Sequence, residues 1–342
     1  MSGKIIFRKR ELDTFWRFVY ERQSIWHRRF ILKLPQAEWT QDFVLSRNKF
    51  TNIYRELDPG TQFSINEIMS IDPYSDPRYE KWADGPDLRP DKVFNVMLYR
   101  LMCSIPTYGG WGFRRIEDFD WQDFEEYLGA IYRTGEPVFG NAYLISPYSS
   151  MGAPLKYQNV ARLFGNVASN FRQNRFFERL DTAPSFQAAY GVIAKQYGFG
   201  PFLAYQVMVD LTYPLPNTKY GSALIPWNQD DWARLGPGAK RGFGRLSPSY
   251  NQLAGLKWLR DNQRREFTRI GVDFPFLTIS RKDGTVEEVE LTLANLQNCC
   301  CEFHKYRSIQ DGVGKAQRIY TPSIVGSETG RFKWDVYTGQ YR

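Results

Sequence analysis

The chain has few of the residues on which hydrolytic and metal-dependent chemistry most often draws. It holds two histidines, His27 and His304, and four cysteines, Cys103 and the run Cys299-Cys300-Cys301. A zinc site needs more ligands than these, and a hydrolase built on a histidine base is poorly supported. Adjacent cysteines at one point make no disulfide framework, which points to a reducing compartment and to thiols that pack in a core. No apolar run is long enough to span a membrane, and Met1-Ser2-Gly3-Lys4 does not open a secretory leader, so a cytoplasmic protein is expected. Gly312-Val-Gly-Lys315 lacks the spacing and the following Ser or Thr of a phosphate-binding P-loop. No internal repeat, low-complexity segment, basic tail or paired metal-binding carboxylate pattern is present. No cofactor or metal is therefore expected.

Aromatic side chains and positive charge are plentiful. Phe, Tyr and Trp make up 16% of the chain and the net charge is +8. A basic, aromatic-rich chain suits an anionic partner, and nucleic acid in particular, because cations meet phosphates while rings stack on bases.

Hydrophobic periodicity predicts a mainly helical protein. Helices are expected over Glu11–Leu34, from Asp91 through Met102, over Trp121–Thr134 (capped by Asp118 or Asp120), over Lys156–Leu180, over Ser247–Ile270 and over Leu293–Tyr306. A β-hairpin is expected within Phe274–Leu293, turning at Arg281-Lys-Asp-Gly284. On the first helix Arg17, Arg22, Arg28 and Arg29 are expected to be solvated.

Three stretches concentrate chemistry. Phe186–Tyr197 reads as a helix, followed by Gly198-Phe-Gly200 and a second helix opened by Pro201. That is a helix-hairpin-helix pattern, whose turn amides and helix N-terminus suit a nucleic-acid phosphate. Leu45–Asp58 packs Arg47, Lys49, Asn52, Tyr54, Arg55 and Asp58 together, which predicts either a buried polar network or a ligand site. In Asn228–Gly242, Asp230 and Asp231 precede Gly236-Pro-Gly238 and then Lys240-Arg241. A glycine turn beside two cations suits an anion, and a nearby carboxylate suits a base or a partner for an amine.

Four segments occur in order: Lys49-Phe-Thr-Asn-Ile-Tyr-Arg55, Gly198-Phe-Gly-Pro-Phe-Leu-Ala204, Asp230 with Gly236-Pro-Gly-Ala-Lys-Arg-Gly242, and Cys301-Glu-Phe-His-Lys-Tyr306. Together they resemble the thymine-hypermodification proteins of DNA phages. That family includes the amino acid:DNA transferases (alpha-glutamyl/putrescinyl thymine pyrophosphorylases) and the helical domain found with 5-hydroxymethyluracil DNA kinases. The resemblance spans roughly residues 40 to 310.

It implies a helix-hairpin-helix, DNA-glycosylase-like helical fold with a small β-hairpin. One two-lobed domain would cover 1–310, with its hairpin at 186–210 and an extension over 311–342. Double-stranded DNA with a flipped base would be one partner and an amino acid or polyamine the other, with a DNA kinase as a further partner and no membrane. If the chain is phage-encoded, the compartment is the host cytoplasm.

The implied reaction replaces phosphate or pyrophosphate on the exocyclic methylene of 5-hydroxymethyluracil by an amine. For that reaction, residue chemistry rather than the family gives the expected roles: Asp230, with Asp231 as alternative, would handle the amine. Gly236, Gly238, Lys240 and Arg241 hold the leaving group, and Asn52, Tyr54 and Arg55 line the base pocket. Gly198 and Gly200 touch the DNA backbone, and Glu302 and Lys305 support the site. Phe202 stands where related glycosylases carry a nucleophilic lysine, and Tyr220 stands where their aspartate falls, which favours modification over base excision. A base-excision glycosylase and a non-catalytic DNA-binding domain serving a kinase are the alternatives.

Overall fold

A computed structural model describes residues 5–74, 76–83, 85–141, 145–215, 223–280 and 286–314. The expected turn at Arg281-Lys-Asp-Gly284 and the tail from residue 315 lie outside these. The described residues form thirteen α-helices, several short 3-10 and π-helical turns, and one two-stranded antiparallel sheet. They fall into two compact units, residues 59–231 and residues 1–58 with 232–342.

The discontinuous unit begins with α1 (Lys9–Trp26), which runs on into a π-helical turn at His27–Ile31, and then α2 (Phe43–Arg47). The expected Glu11–Leu34 helix is thus α-helical only to Trp26. Of its arginines Arg17 is exposed as expected, whereas Arg22, Arg28 and Arg29 turn toward the protein. Arg22 donates to Asn52 Oδ1 at 2.7 Å and to the Phe50 carbonyl, Arg28 donates to the Trp39 carbonyl, and Arg17 donates to the Ile270 carbonyl. Arg29 is buried with its guanidinium over the Trp39 ring. Arg22 is therefore an inward-reaching arginine that ties down the chain near Asn52.

The 59–231 unit is built on α3 (Pro59–Ser64), α4 (Arg89–Met102), α5 (Ile105–Trp111), α6 (Trp121–Arg133), α7 (Lys156–Gln173), α8 (Phe176–Asp181), α9 (Phe186–Ala194) and α10 (Pro201–Leu211). Every α4 residue from Asp91 to Met102 is buried, as befits a helix surrounded by others. Phe94 meets Phe119, Phe164 and Phe171 edge-on. Asp91 does not cap α4: its carboxylate accepts from the Ile116 amide at 2.7 Å and pairs with Arg115. Asp120, rather than Asp118, caps α6. The expected Lys156–Leu180 helix breaks at Arg175, whose φ of 50° is left-handed, so α7 and α8 are separate. A buried ion pair joins α4 to α10: Arg100 Nη2 donates to Asp210 Oδ1 at 2.6 Å and to Thr61 Oγ1 at 2.9 Å.

The chain then returns to the first unit through α11 (Pro237–Leu246), α12 (Gln252–Arg269), β1 (Leu277–Ser280), β2 (Val286–Val289) and α13 (Leu293–Gln310). Leu277 faces Val289 and Ser280 faces Val286 in the sheet. Its core is aromatic: Phe15 meets Phe303, Trp16 meets Phe267, and Phe267 stacks on Phe274 at 4.2 Å. Each such pair adds about 0.5–1.5 kcal/mol beyond the area it buries. The aromatic excess thus goes largely into cores. Thr292 and Asn295 close a capping box that starts α13.

Candidate functional site

In the discontinuous unit three of the segments singled out above converge: the chain around Lys49–Asp58, the start of α11, and the middle of α13. The Gly-Pro-Gly stretch is not a free-standing turn. Gly236 is the N-cap of α11 and Pro237 its first residue. The glycines at 238 and 242 lie one helical turn apart on the face turned to α13. A Cβ on Gly242 would fall 1.8 Å from the Cys300 carbonyl oxygen, and one on Gly238 would fall 2.5 Å from Cys301 Sγ. Small residues on both helices, glycine on one and cysteine on the other, let the backbones approach. Of the cysteine run, the Cys301 side chain and the Cys300 backbone meet α11. Cys299 and Cys300 are fully buried, as expected of core thiols, while Cys301 is partly exposed.

The chain before α3 is laced onto α13. The Thr51 amide donates to Glu302 Oε2 at 3.1 Å, and Asn298 Nδ2 donates to Thr51 Oγ1 at 2.8 Å. Arg55 donates to Asn298 Oδ1 at 3.2 Å and pairs with Asp58 at 3.3 Å. Lys305 Nζ donates to the Lys49 carbonyl, stands over the Phe50 ring and lies 3.8 Å from Glu302. The alternative of a buried polar network is thus realised in part. Asn52 Nδ2 donates to the Leu57 carbonyl while its Oδ1 accepts from Arg22, so its side chain organises the loop. Tyr54 is completely buried, its hydroxyl donating to the Val289 carbonyl and accepting from the Leu277 amide. Tyr54 therefore anchors the β-strands, and its side chain lines no open pocket.

What the convergence leaves near Cys301 is a cluster of charges, three cations with Glu302 and Asp58 among them. Burial first and Glu302 second push the Cys301 thiol up to about 11, while Arg55, Arg241 and Lys305 pull it down. All three cations therefore act on one thiol beside the first turn of α11. That thiol is no nucleophile at neutral pH, since the thiolate is the reactive form. Lys240 and Arg241 are both exposed, and neither has an ion-pair partner among the described residues. The first amides of a helix have no intrahelical acceptor and sit at the positive end of its dipole. Cations, free amides and dipole together suit an anion.

Two titratable groups at this site were not singled out from the sequence. Glu56 is buried, and burial raises its carboxyl from the ordinary 4.5 to about 7, against hydrogen bonds that include one from Asn295 Nδ2 at 3.2 Å. His304 accepts from Arg241 Nε at 3.0 Å; burial, then Arg241 and Arg245, hold its pKa below 6.5. Both stand inside segments already marked, and pairwise geometry was the missing information.

In the 59–231 unit, α9 and α10 form a helical hairpin. Gly198 has φ +90°, and a Cβ there would meet Leu163 Cδ2 at 2.5 Å. Tyr148 donates to the Gly198 carbonyl at 3.1 Å, and Phe199 is buried. Gly200, the N-cap of α10, has an ordinary φ of −60° and nothing within 4 Å of a Cβ. Tyr197 and Phe202, 49% and 47% exposed, flank this turn. At the end of the unit the paired aspartates part company. Asp231 Oδ2 accepts from the Asn228 amide at 2.9 Å and so closes a turn, whereas Asp230 is close enough to Tyr205 of α10 to raise its pKa, after burial. No helix among the described residues is long and apolar enough to cross a membrane.

The family described as the 5-hmdU DNA kinase helical domain matches residues 9–313. The chain belongs to that family. A curated relative, the 5-hmdU DNA kinase of Bacillus phage SP10, is 26% identical over 304 residues, which is 86% of this chain and 44% of that protein. The chain thus spans less than half the length of this relative. No solved structure matches.

Proposed function

We propose that the protein takes part in the modification of 5-hydroxymethyluracil in DNA, and that it exchanges a phosphate or pyrophosphate on the exocyclic methylene for an amine. The amine nitrogen attacks the methylene carbon, the carbon–oxygen bond breaks, the leaving group departs with the electron pair, and the new ammonium gives up a proton. The observation that carries this is the start of α11 packed on Cys301, with Arg241 bonded to His304 and Arg55 bonded to Asn298 on the same stretch of α13 that carries Lys305. Such cations stabilise the charge that grows on a departing phosphate. A relative whose name assigns it 5-hmdU in DNA supports the choice of base. On the chemistry of its carboxylate alone, Asp230 is the candidate acceptor of the proton from the amine. The hairpin tip at Gly198–Gly200 is the candidate contact to the DNA backbone, within a helix-hairpin-helix, glycosylase-like arrangement. The amine is an amino acid or a polyamine, and the protein would work in the cytoplasm of a host cell if phage-encoded.

The test is incubation with duplex DNA carrying phosphorylated 5-hydroxymethyluracil and a pool of amino acids and polyamines, followed by mass spectrometry of the nucleosides. An aminated nucleoside is expected. Abasic sites would instead mark a glycosylase. Because the match covers 44% of a kinase, a second reading is a DNA-binding domain that serves a separate kinase. Unchanged nucleosides, together with tight DNA binding, would favour it.

A further inference from the structure

Resting on that assignment of the α11 cations to a phosphate, we propose that His304 is a positioning residue that aims Arg241 at the anion while leaving its charge unneutralised. Arg241 Nε donates to His304 Nε2 at 3.0 Å. The imidazole lone pair at Nε2 is therefore the acceptor, and the ring proton sits on Nδ1. An exposed arginine on the first turns of a helix would ordinarily sample many rotamers. One fixed hydrogen bond at Nε leaves the two terminal nitrogens, which form the fork that grips phosphate oxygens.

The chemistry of the partner matters. A carboxylate at this position would orient the guanidinium equally well but cancel its charge. A neutral imidazole supplies a lone pair and no charge. Burial and the flanking Arg241 and Arg245 keep the ring in that neutral form. The arrangement has a cost: His304 Nδ1 is buried with no partner among the described residues. That cost follows from the bond to Arg241, because Nε2 can accept only while the proton sits on Nδ1.

The experiment measures dissociation constants for two duplexes, one with a single phosphorylated 5-hydroxymethyl-deoxyuridine and one with its unphosphorylated counterpart. Their ratio isolates the phosphate contribution. Arg241→Ala should lower the ratio about 10- to 100-fold, the worth of a charge-assisted hydrogen bond. His304→Ala should lower it about 3- to 10-fold, and His304→Gln, which keeps an acceptor, should restore it. His304→Glu should lower it as far as Arg241→Ala does. In the Arg241→Ala background, His304→Ala should have no further effect. Additive losses in the double variant, or a glutamine as damaging as alanine, would overturn the role of His304. An unchanged ratio in Arg241→Ala would overturn the phosphate assignment itself. A loss with Arg241→Ala and none with His304→Ala would overturn the His304 inference alone.

Discussion

The two glycines of the α9–α10 turn look equivalent in sequence, yet an added methyl is predicted to destabilise the fold at one and leave it nearly unchanged at the other. Gly198→Ala must hold alanine at φ +90°, at a cost of about 1–3 kcal/mol. Its Cβ also falls 2.5 Å from Leu163, and displacing a packed core side chain costs about another 1–3 kcal/mol. At roughly 2–4 °C per kcal/mol for a unit of this size, melting should fall by several degrees or more. Gly200→Ala meets open space at φ −60°. The entropy gained through the unfolded chain, about 0.4–1 kcal/mol, roughly offsets the poorer N-cap, so stability should stay within about 1 kcal/mol. Nothing inside the protein demands glycine at 200; a DNA phosphate pressed against the turn would. Affinity for duplex DNA, measured by fluorescence anisotropy at fixed salt, should therefore fall about tenfold in Gly200→Ala, the loss of one backbone amide contact. Wild-type DNA affinity in that variant would refute the hairpin as a backbone contact. An unshifted melt in Gly198→Ala would refute the conformational argument.

Gly242→Ala places a Cβ 1.8 Å from a backbone oxygen of α13, which no side-chain rotation relieves, and should destabilise by about 3 kcal/mol or more by thermal melting. Glu56 has a folded pKa of about 7 against an ordinary 4.5, so the folded state binds the extra proton between these values. Stability should be full below about pH 4.5 and fall by about 3 kcal/mol as pH rises to 7. Glu56→Gln should flatten that dependence in urea melts at pH 5 and pH 8, and an unchanged slope would count against the buried acid. Asp230→Asn should abolish the aminated nucleoside without weakening DNA binding. Asp231→Ala should instead cost about 1 kcal/mol through its lost turn contact to Asn228 and keep the product. Tyr54→Phe, by stranding the Val289 carbonyl, should cost about 1–3 kcal/mol in a denaturant melt and leave discrimination for phosphorylated DNA unaltered.

By itself the sequence determined what is local or periodic. The apolar spacing of Val93, Phe94, Met97, Leu98, Leu101 and Met102 marks α4 because large apolar side chains recur there every three to four residues. Gly198-Phe-Gly-Pro201 marks a turn and a helix start because only certain residues accept those backbone angles. The break at Arg175 was not legible, since a left-handed arginine carries no compositional signal. Only tertiary structure decided which of the polar residues at Asn52–Asp58 serve the core and which face outward. Tyr54 and Arg55 are neighbours in the chain, yet one hydroxyl is spent on β1 and β2 while the other side chain reaches α13. The glycines at 238 and 242 read as a flexible anion turn until α13 is seen against them, where they prove to be a close helix contact. The His304–Arg241 bond spans 63 residues of chain. Such pairings arise from how helices pack, and no local propensity encodes them.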